Sequence, residues 1–232
     1  MTPGVVITGV GRRGQVGEAV AQAFARRSAP LVLLERDAVE VTLRADELRA
    51  VGAHVTPLVC DLTDAYATTA AAAQVNDLFP HGVSALVCLA GGFGLSGAVA
   101  ESDPEVWDRQ ILINLKTAYL TTRAFLPLVR RARGSVVYFA SAAVLPEGKP
   151  ATMAAYAAAK AGVVALMRAV AAEERSHGVR ANALAPTAIR TASNMADMGD
   201  AVSYVERETV AEWVVALCQP DGAVNGQVIK LG

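Results

Sequence analysis

The sequence predicts an α/β fold: a doubly wound parallel sheet of about seven strands with helices on both faces, giving three layers, α/β/α. Three observations predict it. Short apolar runs rich in branched residues alternate with longer helix-like segments along the whole length. Most of those runs are apolar throughout, as strands covered on both faces require. The first run passes directly into a glycine-rich turn and then a helix.

Taken in order, "VVIT" (5–8) is the first strand, and helical spacing follows from Gly17 to Arg27. "LVLLE" (31–35) precedes a helix over Val41–Ala50, and "VTPLVC" (55–60) precedes one over Ala65–Leu78. "ALVCLA" (85–90) leads to a long helical stretch from Pro104 to Arg131. "SVVYFA" (135–140) leads to another over Met153–His177. "RANALA" (180–185), a helix over Val210–Leu217 and "QVIKL" (227–231) complete the pattern. Ser102-x-x-Glu105 and Thr209-x-x-Glu212 have the spacing of capping boxes, in which side chains satisfy the first free amides, and so mark two helix starts. No linker, repeat or low-complexity tail divides the chain, so residues 1–232 are expected to form a single domain.

Composition narrows the function. A formal net charge of −1 provides no long-range field to recruit nucleic acid or an anionic membrane. The densest basic spot, Arg130, Arg131 and Arg133, reads as a solvated helix end. Cys60, Cys88 and Cys218 are odd in number and lie in or beside apolar stretches, which suits free thiols in a reducing compartment. His54, His81 and His177 lack metal-ligand spacing, so no metal site is expected. The opening "MTPGVVITG" lacks the charged-then-apolar order of a secretion signal, and a cytoplasmic location is expected. The uncharged run "VSALVCLAGGFGLSGAVA" is broken by glycines and serines, so it reads as a strand and loop and not as a membrane span.

The turn after the first strand, "TGVGRRGQVGEAV", places Gly9, Gly11 and Gly14 in a G-x-G-x-x-G pattern, and Gly17 opens the helix. Glycines suit a tight turn that lets the backbone approach a pyrophosphate, while the helix N-terminus offers free amides and the positive end of its dipole. Thr8, Arg12, Gln15 and Val16 complete this candidate dinucleotide cradle. Glu35 ends the second strand, where a carboxylate holds ribose hydroxyls and repels the extra phosphate of NADP, which favours NAD. Arg36 adjoins it, and with Arg12 and Arg13 offers guanidinium groups to a 2′-phosphate, so NADP stays open beside NAD.

In "AAYAAAKAG" (154–162) a phenol, Tyr156, and an amine, Lys160, stand four residues apart and therefore on one helix face. A phenol of pKa near 10 is a poor base at neutral pH. Lowering it by about three units requires roughly 4 kcal/mol of preferential stabilisation of the phenolate. A neighbouring ammonium contributes to that, as does the positive nicotinamide ring of an oxidised cofactor.

The order "TG…G…G", "CDLTD", "LAGG", "INL", "FASAA", "YAAAK" and "LAP…T" resembles the short-chain dehydrogenase/reductase family over nearly the entire chain. The resemblance implies a single Rossmann-type domain binding NAD(H) or NADP(H), and an oxidoreductase that interconverts a ketone or other carbonyl with a secondary alcohol. It implies that Tyr156 is the acid/base and that Lys160 tunes it and holds the nicotinamide ribose. Ser141 would bond the substrate oxygen, and Asn114 would hold a water of a proton relay. Asp61 and Leu62 would flank the adenine, and Ala90 and Gly91 would pass under the cofactor. Pro186, Ile189 and Thr191 would wrap the nicotinamide. The resemblance also implies a small-molecule carbonyl or alcohol substrate and a homo-oligomer, a dimer or tetramer.

The sequence departs from the family pattern in several places. Four residues separate Gly9 from Gly14 and two separate Gly14 from Gly17, where three and then one are usual, so the turn must bulge. Cys88 and Leu89 replace a usual Asn-Asn pair, and Thr187 stands where Pro-Gly is common. "PTAIRTASNMADM" and "VCLAGGF" are similar to dihydropteridine reductases, which makes a pterin-type reductase an alternative. A non-catalytic dinucleotide-binding regulatory protein is the other, disfavoured by the presence of all four reactive groups.

Overall fold

The computed structural model describes residues 2–200 and 202–232. Its first half alternates β1 (Gly4–Thr8), α1 (Val16–Ala25), β2 (Leu31–Glu35), α2 (Ala38–Ala50), β3 (Val55–Val59), α3 (Ala65–Leu78) and β4 (Val83–Cys88). Then come α4 (Pro104–Gln110), α5 (Thr117–Ala132), β5 (Ser135–Phe139), α6 (Ala154–Glu173) and β6 (Arg180–Pro186). The chain finishes with β7 (Ala188–Arg190), α7 (Ala192–Met198), β8 (Tyr204–Glu206), α8 (Arg207–Leu217) and β9 (Val228–Leu231). Seven strands form one sheet in the order β3-β2-β1-β4-β5-β6-β9, and every pairing is parallel. This is the Rossmann-type doubly wound sheet that the apolar runs predict.

The branched residues of β1, β2, β4 and β5 are buried on both sides, because helices cover both faces. On one face Ile7, Leu33 and Val87 pack under α1, α2 and α8, with Phe24, Val41 and Val214. On the other, Val6, Leu86 and Val136 pack under α3, α5 and α6, with Val75, Phe125 and Met167. The strand order reverses between β1 and β4, so their connections diverge to opposite faces and leave a crevice at the carboxyl ends. The outermost strand, β3, carries Pro57 opposite Leu33.

Several element boundaries differ from those the sequence predicts. The helix expected from Val41 starts at Ala38, because the Asp37 carboxylate accepts from the amides of Val39 and Glu40. Neither predicted capping box forms. Asp103, one residue after Ser102, caps α4 with Pro104 in its first turn, and Ser102 Oγ instead donates to Val99 O. The last long helix, α8, begins at Arg207, which leaves Thr209 inside its first turn. The stretch expected as one helix from Pro104 is interrupted by a wide π-type turn over Ile111–Lys116. Between β6 and α8, where no element was expected, β7 pairs with β8 around α7.

Candidate active site

Carboxyl ends of neighbouring strands deliver the crevice. After β1 the chain turns through Gly9 and Gly11, both at positive φ (64° and 70°). A Cβ on Gly9 would lie 2.6 Å from Ala90 Cα, so the turn sits directly on the segment leaving β4. A Cβ on Gly17 would lie 2.3 Å from Val10 O, which explains the glycine where helix and turn touch.

A cavity of about 330 Å³ opens there. Of the predicted cofactor residues, Gly9, Gly11, Gln15, Val16, Gly17, Glu35, Arg36, Asp61, Leu62, Ala90 and Gly91 line it. Glu35 Oε2 accepts from the Gly11 amide (3.0 Å) and Oε1 from the Arg36 amide (2.9 Å), which fixes the carboxylate at the rim. Asp61 accepts from the hydroxyl and the amide of Thr63, and these bonds hold its carboxyl below the usual range. Unshielded glycine backbone, a helix N-terminus and two oriented carboxylates fit a dinucleotide's diphosphate, ribose and adenine. Three larger concavities, about 620 Å³ between α1 and α2, about 850 Å³ at the opposite strand ends and about 370 Å³ beside the end of α6, contain none of the predicted reactive groups.

Beyond Gly91 the four predicted reactive groups converge. Lys160, 7% exposed, donates to Phe139 O at 2.9 Å, and its Nζ lies 5.7 Å from the centre of the Tyr156 ring. Ser141 follows the end of β5, and its Oγ accepts from the Ala143 amide at 3.2 Å. Asn114 sits in the wide turn. Its Nδ2 is directed at Gly92 O, Gln110 O and Gln110 Oε1, and its Oδ1 accepts from the Gly92 amide. A Cβ on Gly91 would come within 2.5 Å of Asn114 Oδ1 and 3.5 Å of Lys160 Nζ, so all three meet at one point.

Burial dominates the electrostatics of the two groups. The Tyr156 phenol is raised above its ordinary value by burial, with the Ser141 hydroxyl pulling it back in part. Lys160 is buried too, which brings its own pKa down to about 8, and one of its N–H groups is directed at Phe139 O. Without a further positive charge, burial dominates.

Other predicted residues lie off the cavity. Thr8 is fully buried, with its hydroxyl bonded to Val87 O and Leu89 N, so it braces β1 against β4. Arg12 is exposed outside the lining. Gly14 faces α7, where its carbonyl accepts from the Ala192 amide. Pro186 is buried at the end of β6. Ile189 O accepts from Thr191 N and Asn194 Nδ2, and Thr191 caps α7, so these two hold their own segment together.

The sequence reading missed several residues. Cys60, Thr63, Leu89, Arg109, Ile113 and Thr117 also line the cavity. Phe93 meets the Tyr156 ring edge-on at 5.2 Å between centroids. Gln110, buried four residues before Asn114, orients its amide. Only Gln110 had a signal in the sequence, its i,i+4 spacing to Asn114.

A parallel sheet whose switch point holds a dinucleotide cradle beside a tyrosine, a lysine and a serine defines a nicotinamide-dependent oxidoreductase. The family model described as short chain dehydrogenase matches residues 4–200. The chain belongs to that family, whose members bind NAD(P) and transfer hydride between alcohol and carbonyl groups. It is 37% identical over 186 residues to the galactitol 2-dehydrogenase (L-tagatose-forming) of Cereibacter sphaeroides, a match covering 80% of this chain and 70% of that one. It is 32% identical to the 2-keto-3-deoxy-L-fuconate dehydrogenase of Xanthomonas campestris pv. campestris, covering 85% of this chain and 61% of that one. Among solved structures, a 3-oxoacyl-[acyl-carrier protein] reductase with bound NAD from Brucella melitensis superimposes with a TM-score of 0.84 at 28% identity, covering 99% of this chain and 89% of that one. A short-chain type dehydrogenase/reductase from Mycobacterium ulcerans does so with a TM-score of 0.90 at 25% identity, covering 100% and 88%.

Proposed function

We propose that the enzyme interconverts a polyhydroxylated secondary alcohol and its ketone, and that it uses NAD(H) in preference to NADP(H). The observation that carries the site assignment is the meeting of Asn114, Tyr156 and Lys160 around Gly91, with Ser141 beside the phenol. Bound nicotinamide supplies the hydride donor or acceptor and, when oxidised, a positive charge. Tyr156, protonated at neutral pH, gives its proton to a carbonyl oxygen on reduction; on oxidation the phenol must first lose that proton to solvent, and the phenolate then takes the proton of the substrate hydroxyl. Ser141 orients that oxygen. Lys160 would hold the ribose hydroxyls and carries the local positive charge, and Asn114 keeps Gly92 in place.

The cofactor preference rests on the carboxylate of Glu35, fixed at the cavity rim. Arg13, one of the arginines able to pair a 2′-phosphate, is drawn instead to Glu47 at 2.9 Å. The substrate class rests on the two curated relatives, named for a polyol and a sugar acid. We also propose that residues 1–232 act as a single domain in the cytoplasm, a location supported by three free cysteines, and that the protein is a homo-oligomer. Fluorescence titration should give an NADH dissociation constant about tenfold below that of NADPH. Tyr156→Phe should lower turnover of galactitol or its ketose about a thousandfold or more while leaving NADH affinity within about twofold. Unchanged turnover would remove Tyr156 from its role.

A further inference from the structure

We infer that Glu18 is a positioning residue of the dinucleotide site, locking the lengthened glycine turn to the β7-α7-β8 segment. Glu18 lies in the first turn of α1, and its side chain is only 9% exposed. A buried carboxylate at the helix end facing a diphosphate opposes anion binding unless its charge is neutralised. Two arginines from other elements neutralise it. Arg207 Nη1, at the start of α8, lies 2.7 Å from Oε2, and Arg44 Nη1, buried in α2, lies 3.5 Å from Oε1. Oε2 also accepts the Gly14 amide at 2.8 Å, which holds the turn down on the helix.

The other side of the turn is tied just as directly. Gly14 O accepts from the Ala192 amide at 3.1 Å, and Gln15 Nε2 donates to Ser193 Oγ at 2.8 Å. A Cβ on Gly14 would sit 3.0 Å from Ala192 Cβ, so turn and α7 are in van der Waals contact. The added length of the turn therefore docks on the first turn of α7. Arg207, where the β7-α7-β8 segment ends, returns to Glu18. The first turn of α7 and the residue that follows β8 are thus both fixed to the glycine turn and α1.

The pairing also settles where the local charge goes. Arg13 and Arg44 meet Glu47, and Arg207 meets Glu208 as well as Glu18. Three guanidinium groups face three carboxylates, so these three arginines are engaged by protein carboxylates, while the backbone amides and dipole of α1 are offered to a diphosphate. A carboxylate that only capped the helix would have no reason to bond an arginine from α8.

The cofactor part of this inference rests on the proposed NAD(H) site; the latch does not. The test compares Glu18→Ala, Arg207→Ala and Arg207→Lys by amide hydrogen exchange over Ala192–Met198 in ligand-free protein, and by NADH fluorescence titration. Glu18→Ala should accelerate exchange over α7 about tenfold and weaken NADH binding about tenfold. Arg207→Ala should reproduce the faster exchange, and Arg207→Lys should restore most of the protection. Unchanged α7 exchange in Arg207→Ala overturns the latch, and NADH affinity within about twofold of the parent in Glu18→Ala overturns the positioning role. Should Glu18→Ala fail to fold, the Arg207 pair decides, because that side chain is 27% exposed and leaves Arg44 on Glu18. If the parent protein itself binds no NADH, the cofactor proposal falls while the exchange comparison still decides the latch.

Discussion

Lys160 carries its charge where charge is costly. Burial lowers its pKa from 10.5 to about 8, with one carbonyl, Phe139 O, as its hydrogen-bond acceptor. Below pH 8 both folded and unfolded chains hold the proton, and the burial penalty, on the order of 3 kcal/mol, is fully present. Between about 8 and 10.5 the unfolded chain binds more protons than the folded one, so stability rises with pH and the penalty is relieved. Lys160→Met is therefore expected to be more stable than the parent at pH 7 by up to about 3 kcal/mol, with the gain shrinking toward pH 10, while turnover falls sharply. Urea midpoints at the two pH values check it. A lysine retained at such a cost is a residue kept for what it does in the cleft. The phenol four residues away shows what spacing alone leaves out: Tyr156 and Lys160 do share a face, but the direction of their shifts depends on burial, which no spacing encodes.

At the scale of elements, the wide turn between α4 and α5 has the clearest consequence. It brings Asn114 against Gly91 and Gly92, so the floor of the crevice and the flank of α5 are joined through one amide. Gly91→Ala would drive a methyl to within 2.5 Å of Asn114 Oδ1, and is expected to lower stability by about 1–3 kcal/mol and weaken NADH binding, measured by thermal unfolding and fluorescence titration. The strands of the main sheet and most of the helices were legible because their apolar pattern reports burial directly. The wide turn was not, since "ILINLK" reads as ordinary helix. Nor were β7, α7 and β8, which are held by distant partners: Gln15 for Ser193, Glu18 for Arg207, and Arg190 for Glu206 across the small sheet. Helix starts slipped where an aspartate stood nearer than the serine or threonine of a capping box, as at Asp103. In the site, Glu35 and Asp61 line the cavity, whereas Arg12 and Gly14 miss it because the longer turn leans toward α7, and Thr8 because its hydroxyl is buried between β1 and β4.

At the scale of the whole molecule, α4, the wide turn and α5 each expose a large apolar side chain. Trp107, Leu112 and Tyr119 are 43%, 36% and 49% exposed, apolar surface that the proposed homo-oligomer would cover. Light scattering is expected to find a particle heavier than one chain, and Tyr119→Arg is expected to shift it toward the monomer; a parent protein that runs as one chain would refute this. The sheet's outer margin behaves differently. His54 O and Cys60 N bond inward to β2, so the intervening odd-numbered positions of β3 face away from the sheet, and one of them is Pro57. A proline there has no N–H to offer, and the hydrogen-bond ladder cannot be extended through that point by a stray strand from another molecule. A single imino acid at the rim thus helps keep a fold built from apolar strands from templating fibrils when the protein is concentrated.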